Sequence, residues 1–317
     1  MRAHRLTLPV LAIALVAVTA PVPGGAAAAP TEWREVFAPD GTITRVEVPR
    51  AVEASLAPDE VEAEVEVVQQ TGPSDQRFDL VLVGDGYTED DLDTYRAHVA
   101  GKWAELSAVE PFKSYKDKFN VWQVDVLSPE SGVDNDPALG SAKDTALDMG
   151  FWCQGRDLNT ERLLCVNQTA AEQYAALAPQ ADQIIALGNT TKYGGAGGGV
   201  ATAAGGNAQA GQIAVHELGH SIGGLADEYD YPYEAYTGDE PGEPNVTKDP
   251  TGAKWRTYLG QPSPDGGTVG AFVGAKYYKT GLYRPTDNSI MRTLGREFNL
   301  VGRDAMIAAF KRKVPGL

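Results

Sequence analysis

The chain has 317 residues, with 43 acidic against 27 basic side chains, a formal charge of −16 and 43% hydrophobic residues. That apolar content separates it from disordered chains, and the length suffices for a core that needs no staples. Its one basic run, Lys311-Arg312-Lys313, is too small to meet a phosphate backbone, so nucleic acid is excluded as a partner.

Arg2 and Arg5 precede an apolar run from Leu6 to Ala20, followed by Pro21, Pro23 and the small residues Ala26 to Ala29. This pattern reads as a secretory signal peptide over residues 1–28, cut after Ala27 or Ala28. The run is shorter than the roughly 20 residues of a membrane-spanning helix, and no second hydrophobic span follows. The expectation is a secreted, extracellular, monomeric protein. Cys153 and Cys165, twelve positions apart, then meet oxidising conditions and are expected to form one local disulfide. A two-cysteine zinc site lacks both the C-x-x-C spacing and a nearby histidine.

After the signal peptide, residues 29–76 read as a β-hairpin extension followed by an acidic linker. Apolar and polar residues alternate from Val36 to Val48 around Asp40-Gly41, the pattern of a hairpin, and 51–77 reads as a mobile acidic connection. The main domain is expected over 77–317, opening on the buried strand Arg77 to Val83 and the turn Gly84-Asp85-Gly86. Thr88 before Glu89-Asp90-Asp91 marks a helix start, with Leu92, Tyr95, His98 or Val99, Trp103 and Leu106 at helical spacing. Strands follow near 119–127 and 183–187, and Tyr193 to Gly206 is a Gly/Ala tract without the pattern of a phosphate loop. The alternation is that of an α/β (α+β) fold.

Chemistry concentrates in His216-Glu217-Leu218-Gly219-His220, an H-E-x-x-H motif on a stretch whose Ile213, Val215, Leu218 and Ile222 supply an apolar helical stripe. Histidines at i and i+4 project from one helix face and can offer imidazole nitrogens to one Zn²⁺, while Glu217 can reach an attacking water. His4, His98, His216 and His220 are all the histidines there are, so the motif takes two of the three left after signal removal. Catalytic zinc needs a third protein ligand. His98, on a distant helix, reads as an ordinary packed or exposed histidine. Gly223 and Gly224 can end the metal helix through positive φ and turn the chain so that Asp227 faces the metal; Glu228, Asp230 and the distant Glu297 are rivals.

The run His216 to Tyr229, His-Glu-Leu-Gly-His-Ser-Ile-Gly-Gly-Leu-Ala-Asp-Glu-Tyr, resembles the zinc motif of the IgA-peptidase family of secreted bacterial metallopeptidases, a metzincin-like group. Ser289-Ile290-Met291-Arg292 resembles the metzincin Met-turn, although Ala226 stands where metzincins carry a third histidine and Asp227 follows one residue late. Val83 to Thr88, Lys192 to Gly195 and the cysteine segment extend the resemblance over about 77–312. It implies a metzincin-like zincin catalytic domain with a mixed twisted sheet and an active-site helix. It also implies Met291 beneath the ligands and an exposed Gly-rich edge strand at 195–203 that pairs with an extended substrate.

The reaction expected is peptide hydrolysis, with Zn²⁺ on His216, His220 and Asp227 and with Glu217 as base and then acid. Tyr229, Tyr231 and Tyr233 are candidate oxyanion donors, and Ca²⁺ on the acidic segment Glu130 to Asp136 is an option its spacing does not support. Two other readings are an exported binding protein with a structural zinc site, against which the intact Glu217 argues, and a zinc exopeptidase with a distant Glu ligand.

Overall fold

The computed structural model describes residues 30–50, 53–57, 61–155 and 158–314; the signal-peptide segment 1–28 lies outside them. The expected hairpin forms from β1 (Thr31–Phe37) and β2 (Ile43–Pro49), antiparallel in a register from Thr31↔Pro49 to Phe37↔Ile43. Gly41 turns it at φ 89°, and its carbonyl accepts the Leu294 N–H at 3.0 Å. The hairpin tip is thereby fastened to the far end of the chain, and Phe37 and Ile43 are wholly buried in the main core.

The central sheet contains β3 (Glu64–Gln69), β4 (Phe78–Asp85) and β5 (Phe119–Asp125), and further along the chain β8 (Gln183–Gly188), β9 (Gly195–Ala196) and β10 (Ala201–Ala204). Between β5 and β8, β6 (Gly150–Phe151) pairs with β7 (Leu164–Cys165) in a small ribbon. The six sheet strands run in the order β3-β5-β4-β8-β10-β9, with the four inner strands parallel and the two outer ones antiparallel to their neighbours. Every residue of β4 and β5 is buried, as parallel strands covered on both faces require. Alternate residues divide between two cores. Leu80 and Leu82 pack with α1 (Leu92–Leu106), whereas Val81 and Val83 pack with α2 (Gln168–Ala175).

Thr88 and Asp91 form the capping box that precedes α1, with the Thr88 N–H and hydroxyl 3.1 and 2.8 Å from the Asp91 carboxylate. The motif helix α3 (Gly211–Ser221) packs on β10 and α1. A second, three-stranded sheet contains β11 (Tyr233–Ala235), β12 (Phe272–Ala275) and β13 (Tyr278–Arg284) in the order β11-β13-β12. The chain then enters α4 (Leu300–Lys313), capped by Asn299, whose Oδ1 accepts the Gly302 N–H at 2.8 Å. Lys311, Arg312 and Lys313 form its last turn, where cations complement the helix dipole.

Two expectations differ from this architecture. The acidic connection carries β3, which is antiparallel to β5 from Glu64↔Asp125 onward; an edge strand needs only one apolar face, so its glutamates point to water. The Gly/Ala tract is no exposed edge. Its outer strand β9 is buried, and Val36, Val48, Cys153 and Leu163 close over Ala196. Cys153 and Cys165 form the disulfide, with Cα atoms 5.3 Å apart. Among the described residues, no helix is long and apolar enough to cross a membrane.

Candidate metal centre

Helix α3 places His216 and His220 on one face, their ring centroids 4.8 Å apart. Each Nδ1 lies against a backbone carbonyl, His216 at 3.0 Å from Ile290 O and His220 at 2.7 Å from Leu225 O. A carbonyl only accepts, so each Nδ1 carries the proton and each Nε2 is left with its lone pair directed at a common point.

The helix ends in a Schellman motif. The Gly224 N–H reaches His220 O at 3.0 Å and the Leu225 N–H reaches Gly219 O at 3.2 Å, with Gly224 at φ 61°. Of the Gly223-Gly224 pair only Gly224 uses left-handed backbone; Gly223 is required for space instead, since a Cβ there would lie 2.8 Å from both Gly219 O and Met306 Sδ. The turn delivers Asp227 to the histidines. Its Oδ1 is 3.3 Å from both Nε2 atoms, and its Oδ2 accepts the Tyr277 hydroxyl at 2.6 Å.

The rival carboxylates are held elsewhere. Glu228 is buried and accepts from Asn245 at 3.0 Å, Ser289 at 2.7 Å and Asn299 at 2.9 Å, tying the post-helix segment to the 289–292 turn and the start of α4. Asp230 pairs with Arg292 at 3.1 Å and Glu297 with Arg303 at 3.4 Å. His98 hydrogen-bonds Tyr87 at 2.9 Å. In the acidic segment, Glu130 and Asp134 accept backbone N–H groups and Asp136 accepts the Thr190 hydroxyl. Of the candidate tyrosines, Tyr229 alone turns its hydroxyl into the site. Tyr231 donates to Ile43 O, and Tyr233 packs at a tilt against Tyr278 in the second sheet.

Residues Ser289 to Arg292 lie directly under the helix. Met291 is 1% exposed, and a Cβ on Gly219 would come within 2.7 Å of its sulfur, so the turn and the helix are in close contact between the two histidines. The Ile290 carbonyl that fixes His216 and the Met291 carbonyl that accepts the Glu228 N–H at 2.7 Å belong to the same turn.

The Nε2 atoms are 3.1 Å apart, and each is 3.3 Å from Asp227 Oδ1. A tetrahedral ion with bonds of about 2.0–2.1 Å has ligand-to-ligand edges of about 3.3 Å, so the triangle is one face of such a polyhedron. Asp227 Oδ1 and Glu217 Oε1 are buried without hydrogen-bond partners, as expected for atoms that face a cation or the water beside it. The donors fit a metal ion. Burial, reinforced by the charge of Glu35, pushes the Glu217 carboxyl up to about 7 against the pull of both histidines. Asp227 is held well below the carboxylate range: burial would raise it, but positive charge on His220 and His216 outweighs that, as a cation held between them would.

A fourth member of the cluster comes from a segment far from the motif. Glu35, from β1, points its Oε2 at the same place, 3.3 Å from His216 Nε2 and 3.9 Å from His220 Nε2, and its Oε1 accepts the Tyr229 hydroxyl. Glu35, His216, His220 and Asp227 together form the one group of such ligands that converges among the described residues, all four atoms within 4.8 Å of one another. A glutamate on an alternating hairpin reads as a solvated side chain, and nothing local distinguishes it. A cavity of about 410 Å³ adjoins the cluster, lined by Trp33, Arg34, Gly197, Glu217, His220 and Tyr277 among others.

Fold and site together define a mixed α/β domain whose central helix and the loop after it assemble a cluster able to hold a metal ion. The chain belongs to the IgA Peptidase M64 family, whose model matches residues 65–265 and 261–310. Its architecture is that of a peptidase catalytic domain. No curated protein matches the chain.

Proposed function

We propose that this protein is a secreted zinc-dependent metalloendopeptidase that hydrolyses extended segments of extracellular proteins or peptides. The observation that carries the reading is the triangle of His216 Nε2, His220 Nε2 and Asp227 Oδ1, with edges of 3.1–3.3 Å and the unpartnered Glu217 carboxylate beside it. Zinc bound there would supply Lewis acidity, polarising a carbonyl and acidifying water. The two imidazoles and Asp227 would hold it, oriented by the Ile290 and Leu225 carbonyls and by Tyr277. Glu217 Oε1 takes the proton of the attacking water and hands it to the leaving amine, a task suited to a carboxyl lifted toward neutrality. The Tyr229 hydroxyl, which donates to Glu35 in this structure, would donate to the developing oxyanion once a substrate displaces that carboxylate.

Mass-spectrometric readout of a diverse peptide library, with immunoglobulin A as one arm because the family is named for it, tests the proposal. Internal cuts that vanish on chelation and in Glu217→Ala are expected. Terminal trimming alone would indicate an exopeptidase, and cuts that persist in Glu217→Ala would refute the assigned base.

A further inference from the structure

We propose that the β1–β2 hairpin is a built-in occupant of the substrate cleft that holds the chain in a latent form, with the Glu35 carboxylate filling the position that water and a substrate carbonyl need. The inference rests on the metallopeptidase reading and deepens it.

Catalytic zinc keeps one coordination position free of protein, whereas four protein ligands close a site. Here Glu35 is the residue that would close it, the outermost of four ligand atoms lying within 4.8 Å of one another. Glu35 Oε2 stands 3.3 Å from His216 Nε2, and its other oxygen is bound by the hydroxyl of Tyr229. A carboxylate with one oxygen among the metal ligands and the other on a fixed donor has the layout of a bound reaction centre, so Glu35 competes with substrate for the same two recognition elements. The neighbouring residue completes the blockade. Arg34 donates to the carbonyl of Gly197, in the turn that leaves edge strand β9, and is oriented by Glu32 at 2.6 Å. That carbonyl is a main-chain acceptor beside the cluster, of the kind an added substrate strand would use. Val36 and Val48 then cover Ala196, so the hairpin also closes the strand along which an extended peptide would lie.

The hairpin is seated firmly enough to act as an inhibitor. Phe37 meets the His216 ring edge-on at 5.4 Å between centroids, Tyr231 donates to Ile43 O, and Arg45 lies 3.8 Å from the Tyr277 ring centroid. The segment lies outside the family match, which begins at residue 65, so the blocking element is separate in sequence from the domain it covers.

The full chain, its Glu35→Gln and Glu35→Ala variants and an Arg34→Ala variant would be loaded with Co²⁺ and compared by visible absorption. Each would then be titrated with a peptide hydroxamate, and cleavage would be measured separately. Loss of Glu35 is expected to change the cobalt spectrum and to tighten hydroxamate binding at least about tenfold, because a cleft open less than about a tenth of the time weakens apparent affinity by that factor. Arg34→Ala should tighten the peptide hydroxamate but leave the cobalt spectrum unchanged. An unchanged cobalt spectrum in both Glu35 variants, or unchanged hydroxamate affinity, overturns the proposal. Tighter binding and an altered spectrum without cleavage by any variant would uphold the occluding hairpin and refute the peptidase reading alone.

Discussion

Gly197 tests whether Glu217 is held in place by its backbone neighbour. A Cβ built on Gly197 would fall inside the Glu217 carboxylate, and the glycine is not among those with positive φ, so alanine is conformationally acceptable and the effect is purely steric. The carboxylate must retreat by roughly 1 Å or more, and a displacement of that size in a reacting group costs on the order of 100-fold in rate. The expected result for Gly197→Ala is therefore a kcat/KM about 100-fold lower, or ~2.7 kcal/mol of transition-state stabilisation. Bound zinc should be unchanged, because neither histidine nor Asp227 is touched. Peptide cleavage and metal content would be measured in the wild-type chain and in Glu35→Gln. Gly101, on α1, is the control, since a Cβ there would meet nothing within 4 Å: Gly101→Ala should leave kcat alone and stabilise the fold by about 0.5–1 kcal/mol. Activity within about threefold of the parent in Gly197→Ala would refute the reasoning, since Glu217 could then act from a displaced position.

Other consequences are equally direct. Asp227→Ala should weaken zinc retention at least about tenfold in a chelator competition, while Glu297→Ala, which loses only its pairing with Arg303, should leave it unchanged. Replacing Cys153 and Cys165 by serine opens a loop of twelve-residue separation and should cost about 3 kcal/mol in urea unfolding. Met291→Ala removes a side chain 1% exposed beneath α3 and should cost about 2–5 kcal/mol, with loosened metal binding as a secondary effect. Glu228→Ala strands the buried amides of Asn245 and Asn299 and the Ser289 hydroxyl, and should lower the urea midpoint more than Asp230→Ala, whose carboxylate pairs with the partly exposed Arg292.

What could be read in the sequence was what is local. The i, i+4 histidines share a helix face by helix geometry alone, the Gly223-Gly224 pair marks the end of that helix, and Asp227 follows within the reach of one turn. The Asp40-Gly41 hairpin, the Thr88 capping box and the twelve-residue cysteine spacing are likewise set by neighbouring residues. Finer assignments required contacts. That Gly223 is needed for the space beside Gly219 and Met306 while Gly224 alone of the pair turns left-handed is visible only in the packing, and which carboxylate faces the histidines was decided by the three amide and hydroxyl donors that capture Glu228. The acidic linker became β3 because β5 offered an open edge, a fact recorded nowhere in residues 64–69 themselves. Glu35 is the extreme case, 181 residues from His216 in sequence yet 3.3 Å away in space. Side-chain type and short-range spacing fix helix faces, caps and turns, but a contact between distant segments exists only after hairpin, sheet and helix have packed, and that packing brought Glu35 to the histidines and Asp227 as the fourth member of the cluster.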